Sequence, residues 1–342
     1  MRTTKARFTE LSERFRRFAE ECREASPLYN GLATRIAEDP DLLAIADEAG
    51  ERESIPQLYM AAVQHLLAKT PDSALRDHYP SLSGNQRREG DPFPVFRRFC
   101  LERAPALHKI LRHRLVQTNE VRRTACLLPA FCLVAECGGG GPLAMVELGA
   151  SAGLLLLWDQ YAYGYGETLS CGKPQSAVRI DCTLRGPGRP PLPSALPTLS
   201  IRVGVDLNPL DVADPDAVAW LEAIVWPDEP DRLQLLRSAV TLAQANPVRV
   251  LGGDALTLLP GILAGLPADC TVCVYRAHTP GIPHDSLARV LSNESTWREL
   301  FLVRLGGAGR AELSLSRFAN GHREERQLAY CDPHGEWLEW VG

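Results

Sequence analysis

Small and acidic residues alternate where one apolar segment of the chain ends. The alternating residues are Glu147, Gly149, Ser151 and Gly153. Small residues allow a backbone to approach a ligand closely, and a helix that begins after Ala152 would direct unpaired N–H groups and its positive dipole end into the same space. The spacing therefore predicts a strand, a tight turn and a helix that together hold a nucleotide, with Ala150 also at the ligand.

The spacing excludes a dinucleotide fingerprint. That fingerprint requires glycines in the pattern G-x-G-x-x-G, but the second and third glycine positions after Gly149 hold Ser151 and Leu154. The alternative to a ligand site is an ordinary buried turn between a strand and a helix.

A second apolar strand, residues 201–205, ends in Asp206 and is followed by Leu207 and Asn208. A carboxylate at a strand end can accept hydrogen bonds from the hydroxyls of a ribose. We therefore expect Asp206, Leu207 and Asn208 to lie at the same nucleotide as the loop after Glu147. The alternative for Asp206 taken alone is a helix cap.

The alternation from Glu147 to Gly153 resembles motif I of class I S-adenosylmethionine-dependent methyltransferases, with Ser151 in place of the middle glycine. Residues 204–209 resemble motif II of the same family. The resemblance implies an α/β fold with a Rossmann-like parallel sheet and the cofactor S-adenosylmethionine, which leaves as S-adenosylhomocysteine. In this family the loop wraps the amino-acid end of the cofactor, and the acid before the loop orients that end through hydrogen bonds.

A third strand, residues 248–251, leads into Asp254 and Ala255. Class I methyltransferases commonly place an acid at this point, where it binds the adenine amino group. The resemblance therefore assigns Asp254, together with Ala255, to the cofactor. The alternative is that Asp254 caps the helix that follows it.

Residues that face the transferred methyl group are expected after the fourth strand, residues 271–275, where the methyltransferase family keeps them. Tyr275 and His278 are the catalytic candidates for deprotonating an oxygen, nitrogen or sulfur nucleophile, since histidine titrates near neutral pH. The alternative for His278 is a polar loop residue. The chain lacks the Asn-Pro-Pro-Tyr and Asp-Pro-Pro-Tyr motifs of the enzymes that methylate amino groups of DNA and glutamine. This absence argues against those acceptors and leaves the methyl acceptor unidentified.

A polar cluster precedes an apolar helix in the middle of the chain and consists of Gln117, Thr118, Asn119 and Glu120. We expect these side chains to line the substrate side of a cleft between two domains, because ligand sites favour domain interfaces with a few convergent polar groups. The alternative is that Thr118 or Asn119 only caps the next helix.

Four segments of the chain also resemble an uncharacterised bacterial family, the domain-of-unknown-function family numbered 2332. The segments are residues 117–123, 146–154 and 204–209 and the terminal Pro333-His334-Gly335-x-Trp337. This resemblance covers nearly the whole chain. It implies a methyltransferase-like fold and supplies no known substrate.

Apolar residues at helical spacing extend through the first part of the chain and predict an all-helical amino-terminal domain over residues 1–136. The glycines at 138–141 and Pro142 form the predicted joint to a Rossmann-like domain over residues 137–342.

Two hairpins are predicted within the second domain. An inserted hairpin and loop at about 167–199 separates the first two sheet strands. Asn320 and Gly321 form a hairpin signal, which predicts that residues 311–317 and 327–331 close the parallel sheet as an antiparallel pair.

Positive charge is concentrated on both sides of the polar cluster, although the formal net charge of the chain is −5. Between Arg87 and Arg123 stand ten Lys or Arg and four Asp or Glu. This basic stretch could attract a nucleic acid, so a nucleic-acid-directed methyltransferase is one alternative function. We prefer solvated helix faces as the interpretation, because Phe93, Phe96 and Phe99 are spaced to face a helical core rather than to stack on bases. A non-catalytic cofactor-binding or regulatory protein is the other alternative.

The cysteines indicate a reducing compartment. The chain has ten cysteines, of which only Cys270 and Cys273 form a C-x-x-C pair. Residues three apart on a strand face opposite sides, so no metal site is expected there. No apolar stretch approaches the roughly 18 residues that cross a bilayer, and the first residues lack the apolar core of a signal peptide. The predicted location is the cytoplasm, without a membrane partner.

Overall fold

The computed structural model describes residues 4–52, 54–84, 89–193, 195–279, 281–307 and 309–342. Arg87 and Arg88 of the basic stretch and Ser194 of the predicted insertion lie outside these residues. The chain divides into two compact units. Unit 1 comprises the residues up to 118 and residues 214–237, and unit 2 comprises residues 119–213 and 238–342. No helix in the described part of the chain is long and apolar enough to cross a membrane.

The α-helices of the described residues are α1 (Thr4–Cys22), α2 (Pro27–Ile36), α3 (Pro40–Asp47), α4 (Ile55–Ala68), α5 (Pro80–Ser83), α6 (Phe93–Glu102), α7 (Ala104–His113), α8 (Arg123–Cys137), α9 (Pro215–Ile224), α10 (Pro230–Ala245), α11 (Ala255–Ala264) and α12 (His284–Glu294). Local sequence specifies several helix starts. Ser26 and Asp39 accept hydrogen bonds from the first-turn N–H groups of α2 and α3, and each helix begins with a proline.

Unit 1 contains α1 to α7 and α9, which confirms that the amino-terminal region is helical. Its helices surround one apolar core that includes Phe15, Tyr59 and Phe96. Phe93 and Phe99 are buried in the same core, so the prediction that these rings face a helical core is confirmed.

The strands are β1 (Leu143–Leu148), β2 (Ala162–Tyr165), β3 (Leu169–Gly172), β4 (Arg179–Arg185), β5 (Leu199–Asp206), β6 (Arg249–Gly252), β7 (Thr271–Ala277), β8 (Leu300–Gly306), β9 (Ala311–Ala319), β10 (His322–Cys331) and β11 (Trp337–Trp340). They form an 11-stranded sheet in the order β3-β2-β4-β11-β10-β9-β8-β7-β1-β5-β6. The stretch β6-β5-β1-β7-β8 is parallel, and β9 is antiparallel to β8. The fold is therefore mixed α/β with a mostly parallel sheet.

The closing hairpin is confirmed as β9 and β10. Its turn residues Asn320 and Gly321 have φ angles of 52° and 79°. Two consecutive positive φ angles match the twist of an antiparallel pair, and Asn-Gly adopts them readily.

The chain reverses its direction of winding at β1. It proceeds from β1 to β5 and β6 on one side, and then to β7 and β8 on the other side. The carboxyl ends of β1, β5 and β7 therefore meet at a topological switch point, which is the usual ligand position in open α/β sheets.

The prediction of an α-helix after the glycine loop is wrong. Residues Leu154–Gln160 form a 3-10 helix of 7 residues with non-helical angles at Leu157, and the chain then enters β2. The Tyr161 hydroxyl donates to the Leu154 carbonyl at 2.6 Å, and the Tyr163 hydroxyl donates to the Trp158 carbonyl at 2.6 Å. These hydroxyls satisfy carbonyls that would otherwise continue an α-helix. A short 3-10 helix does not supply the dipole end that the spacing predicted.

The inserted region forms edge strands of the main sheet and is not a detached hairpin. β2 and β3 form an antiparallel pair, and β4 joins them to β11 through parallel pairing on both sides. The predicted insertion therefore extends the sheet beyond its carboxyl-terminal strands.

α8 is a nearly fully buried helix that packs on β4, β7, β8 and β9. It contains Pro129, which cannot donate to the Ala125 carbonyl one turn earlier. The Tyr165 hydroxyl of β2 donates to that carbonyl at 2.6 Å. The edge strands thus provide the hydrogen bond that the proline removes from the helix.

Candidate functional site

Asp206 connects the two loops that follow β1 and β5. Its Oδ2 accepts a hydrogen bond from the Ser151 backbone N–H at 2.8 Å, and its Oδ1 accepts one from the Asn208 N–H at 2.8 Å. Asp206 is buried at the strand end, whereas Leu207 and Asn208 are exposed. The carboxylate therefore fixes the glycine loop against the end of β5.

Close packing explains why the loop contains glycine at two positions. Gly149 and Gly153 have φ angles of 78° and 72°. A Cβ at Gly149 would lie 2.5 Å from the Thr279 side chain, and one at Gly153 would lie 2.6 Å from the Val248 side chain. Both glycines are thus required by the path of the loop itself.

Ser151 adopts a left-handed conformation, with φ of 51°, in the middle of this loop. Its side chain is buried, and its Oγ has no hydrogen-bond partner among the described residues. A strained backbone and an unsatisfied buried hydroxyl are more frequent at ligand sites than elsewhere, so this residue marks the loop as a candidate site.

Asn119 joins the two ends of the glycine loop. Its Nδ2 donates to the Ala150 carbonyl at 3.1 Å, and its Oδ1 accepts from the Leu154 N–H at 3.0 Å. The Leu154 N–H, which the sequence predicted to be unpaired at a helix start, is therefore bonded within the protein. Of the predicted polar cluster, Asn119 and Glu120 belong to unit 2, and Gln117 and Thr118 are half-buried residues of unit 1.

Glu147 and Tyr275 form a buried pair at the ends of the neighbouring strands β1 and β7. The Tyr275 hydroxyl donates to Glu147 Oε2 at 3.1 Å. Burial raises the pKa of Glu147 well above its ordinary value, and the charge of Asp206 raises it further, whereas Tyr275 and Arg123 oppose this shift. Burial also raises the pKa of Tyr275. The environment therefore favours a neutral carboxyl group and a neutral phenol.

His278 turns the chain sharply after β7. Its φ angle is 52°, and its backbone N–H donates to the Leu305 carbonyl at 2.8 Å. Its Nε2 is buried without a partner among the described residues. Burial lowers the pKa of His278 to about 4, helped by the charges of Arg123 and His334 and opposed by Asp332. The imidazole is therefore uncharged at neutral pH.

The terminal segment at residues 333–337 packs against the start of α8. Arg123 Nε donates to the Pro333 carbonyl at 2.9 Å, and His334 Nδ1 lies 3.9 Å from Glu120 Oε2. Gly335 has φ of 89°, and a Cβ there would lie 2.4 Å from the Arg122 carbonyl oxygen. The structure thus brings together two segments that are distant in sequence. The charges of Arg123 and His334, one from each segment, both lower the pKa of His278.

Sequence reasoning missed Arg123 as a residue of this region. The only signal was that residues 117–123 and 333–337 carried the same family resemblance. Their proximity depends on how α8 and β11 pack in unit 2, which no local pattern reports.

Asp254 lies at the carboxyl end of β6 and caps α11. Its Oδ1 accepts hydrogen bonds from the Thr257 N–H at 2.9 Å and from Thr257 Oγ1 at 2.8 Å. These bonds lower the pKa of Asp254. Ala255 is buried behind it. Asp254 therefore caps α11, as the alternative interpretation from the sequence proposed. Its binding of the adenine amino group stays a prediction.

Within the part of the chain that the structure describes, no group of three or more His, Cys, Asp or Glu residues could hold a metal ion. The acids and histidines at the strand ends instead interact with backbone groups, Tyr275 and Arg123.

A family model described as "Uncharacterized protein conserved in bacteria (DUF2332)" matches residues 12–340. The chain therefore belongs to this bacterial family. No curated protein and no solved structure gives a significant match to the chain.

Proposed function

We propose that this DUF2332 protein is an S-adenosylmethionine-dependent methyltransferase with a Rossmann-like core. One observation carries the proposal: the acid Glu147, the glycine loop and Asp206 lie at the carboxyl ends of the adjacent parallel strands β1 and β5. These are the residues that the resemblance to motifs I and II assigns to the cofactor. Their position is also the switch point at which open α/β sheets bind nucleotides.

The arrangement of strands supports the same proposal. The parallel order β6-β5-β1-β7-β8 followed by antiparallel strands agrees with the sheet that the methyltransferase resemblance implies. In this proposal Asp206 binds the ribose and the loop from Gly149 to Gly153 binds the methionine end. Because Asp206 also holds the Ser151 N–H, ribose binding and loop conformation are coupled.

An exposed apolar side chain stands beside this carboxylate. Leu207 is 78% exposed, although it follows a buried strand. A large exposed leucine adds to the surface that a planar base can cover. We assign Leu207 and Asn208 to the nucleoside part of the cofactor.

The chemistry proposed for Tyr275 and His278 follows from their surroundings. The Tyr275 hydroxyl is bonded to Glu147 and fully buried, so it positions that carboxyl group. His278 is uncharged at neutral pH, so in this proposal its imidazole accepts a hydrogen bond from the acceptor nucleophile, whereas its lowered pKa makes it a weak base for full proton removal. Methyl transfer also gains much of its rate from in-line positioning of the nucleophile and the methyl group.

The proposal is tested by thermal unfolding of the full chain with S-adenosylmethionine, S-adenosylhomocysteine or NAD. A ligand at about one hundred times its Kd stabilises a protein by roughly 2.7 kcal/mol. We expect both sulfur nucleotides to raise Tm and NAD to have no effect. Asp206→Asn should reduce this shift, whereas Asp211→Asn, at an exposed acid of the same loop region, should retain it. Unchanged shifts in Asp206→Asn would contradict the assigned site.

A non-catalytic protein with the same fold is the second candidate. The observation that favours it is that the loop N–H groups of Ser151 and Leu154 are bonded to protein side chains. A ligand would have to compete with those bonds. Production of S-adenosylhomocysteine by the wild-type chain in a cell extract, and its loss in Asp206→Asn, would exclude this candidate.

The nucleic-acid alternative depends on the basic stretch between Arg87 and Arg123, most of which belongs to unit 1. Ion pairs reduce its charge: Arg97 pairs with Asp39, Arg112 pairs with Glu48, and Arg114 pairs with Asp216. Binding through phosphate contacts would be strongest at low ionic strength, so retention of RNA or DNA there is the measurement that decides it.

A further inference from the structure

A pocket of about 470 Å³ opens at the carboxyl ends of β7 and β8. Among the described residues, its wall includes Arg276, His278, Thr279 and Arg304. Thr279 also connects this pocket to the candidate cofactor loop, since its Oγ1 donates to the Leu148 carbonyl at 3.1 Å. The pocket therefore lies beside the start of the glycine loop, at the end of β1.

Arg276 is a buried guanidinium without an acidic partner. The residue is 8% exposed, and its Nη1 donates to the Ile282 carbonyl. Among the described residues, no carboxylate lies within ion-pair distance of Arg276. A buried charge is costly unless an opposite charge or several hydrogen bonds compensate for it.

Arg304 places a second positive charge at the same wall. Its Nε donates to Ser314 Oγ at 3.3 Å, and its Nη2 lies 3.7 Å from Glu325 Oε1. Glu325 also pairs with Arg323, so one carboxylate is shared between these two arginines. Burial lowers the pKa of Arg276, and the charge of Arg304 lowers it further. The wall therefore has more positive than negative charge.

Three observations thus coincide in one place: an open pocket, a buried arginine without a carboxylate partner, and a second arginine beside it. We propose that this pocket binds the oxyanion of a small acidic molecule through Arg276 and Arg304. Guanidinium groups bind carboxylates and phosphates in a planar, bidentate geometry, which fits a site of this size and charge.

The anion-binding pocket deepens the proposed function by specifying the acceptor class. His278 lines the pocket and turns the chain at the end of β7. A molecule whose carboxylate or phosphate is held by Arg276 and Arg304 would direct its other end toward His278. That the bound molecule is the methyl acceptor rests on the proposed function, whereas anion binding itself does not.

Thermal unfolding without S-adenosylmethionine tests the anion site independently. Inorganic phosphate and citrate are the probes for the phosphate and carboxylate sources, each compared with sodium chloride at equal ionic strength. We expect at least one of the two oxyanions to raise the Tm of the wild-type chain beyond the chloride control. The oxyanion whose effect falls in the arginine variants identifies the source, since kosmotropic anions also raise Tm without a binding site.

Three variants locate the effect. Arg276→Gln and Arg304→Gln each remove a charge-assisted hydrogen bond, so the affinity for the oxyanion should fall by about tenfold or more. Arg317→Gln is the matched control, because Arg317 is an exposed arginine of β9 that pairs with Glu299. It should keep the wild-type affinity.

Two results would overturn the proposal: no stabilisation of the wild-type chain by either oxyanion, or full stabilisation of Arg304→Gln. The second result decides the question even if Arg276→Gln fails to fold, because the Arg304 side chain is 29% exposed and tolerates replacement better than a buried one. Anion binding without any effect of S-adenosylmethionine would retain the pocket and contradict only the proposed function.

Discussion

Two regions at the carboxyl ends of the parallel strands differ in how their ionisable side chains are paired. One has acids with hydrogen-bond partners, and the other has arginines with few carboxylates. At the ends of β1 and β5, the acids Glu147 and Asp206 bind a tyrosine hydroxyl and backbone N–H groups. At the ends of β7 and β8, Arg276 has no acidic partner among the described residues, and Arg304 shares one glutamate with Arg323.

The difference sets a different condition for a ligand at each region. The acidic region already has a set of internal hydrogen bonds, so a ligand there must match or replace them. Within the described chain, the basic region has one carboxylate, Glu325, beside Arg276, Arg304 and Arg323, so a negatively charged ligand would balance its charge. In the function proposed above, a cofactor with hydroxyl and amino groups would bind at the first region and an anionic acceptor at the second.

The largest expected effect comes from the packing of the acidic region. Gly153→Ala should reduce the free energy of unfolding by about 2–4 kcal/mol, since it combines a positive φ with an overpacked contact. The measurement is urea unfolding of each variant.

Gly166→Ala separates these two causes. Gly166 has φ of 62°, but nothing lies within 4 Å of a Cβ built there. This control should lose only about 1–2 kcal/mol, from the backbone term. Equal losses in the two variants would show that the contact with Val248 is not limiting.

An intermediate effect is expected from the side chain that joins the two ends of the glycine loop. Asn119→Ala removes bonds to Ala150 and Leu154 and should cost about 1–3 kcal/mol of stability. It should also weaken S-adenosylmethionine binding, measured by calorimetry, because the loop loses its fixed conformation.

Asn246→Ala is the matched control for this prediction. Asn246 is exposed, and its side chain donates to the Leu242 carbonyl at 3.0 Å. Replacement should change stability by less than about 0.5 kcal/mol. A wild-type unfolding curve for Asn119→Ala would mean that the acidic region does not depend on this side chain.

Expressed per pH unit, the smallest expected effect concerns the charge of Glu147. Its raised pKa means that the folded state binds a proton more tightly than the unfolded state, so this carboxyl stabilises the fold most at low pH. That stability should decline as the pH rises above the unfolded pKa of about 4.3, by at most about 1.4 kcal/mol per pH unit.

Glu147→Gln removes the titration. The free energy of unfolding of the variant, relative to wild type, should therefore increase with pH above about 4.3. Unfolding in urea at a series of pH values measures this difference, with Glu312→Gln on the exposed side of β9 as the control. Parallel profiles for wild type and Glu147→Gln would contradict the neutral carboxyl and reduce the contrast between the two regions.

Much of the fold and part of the site could be read from local patterns. The helical amino-terminal region, the strand before the glycine loop and the Asn320-Gly321 hairpin follow from periodicity and turn chemistry, which act between residues close in sequence. The acids Glu147 and Asp206 were found in the same way, since each ends an apolar strand.

Other features arise from contacts between distant residues. The 3-10 helix after the loop depends on hydroxyls of Tyr161 and Tyr163 that satisfy earlier carbonyls. The buried α8 depends on Tyr165, which replaces the hydrogen bond that Pro129 cannot make. Helical periodicity carries no information about such partners.

The sequence by itself determined the strand ends and their acids, because short apolar runs and small turn residues act within a few positions. Only the tertiary structure decided that Asn119 holds the glycine loop and that Arg276 and Arg304 share one pocket. These two arginines are neighbours because β7 and β8 pair in parallel register. Such pairing depends on the burial of whole strands, a property of the packed sheet and not of any short segment.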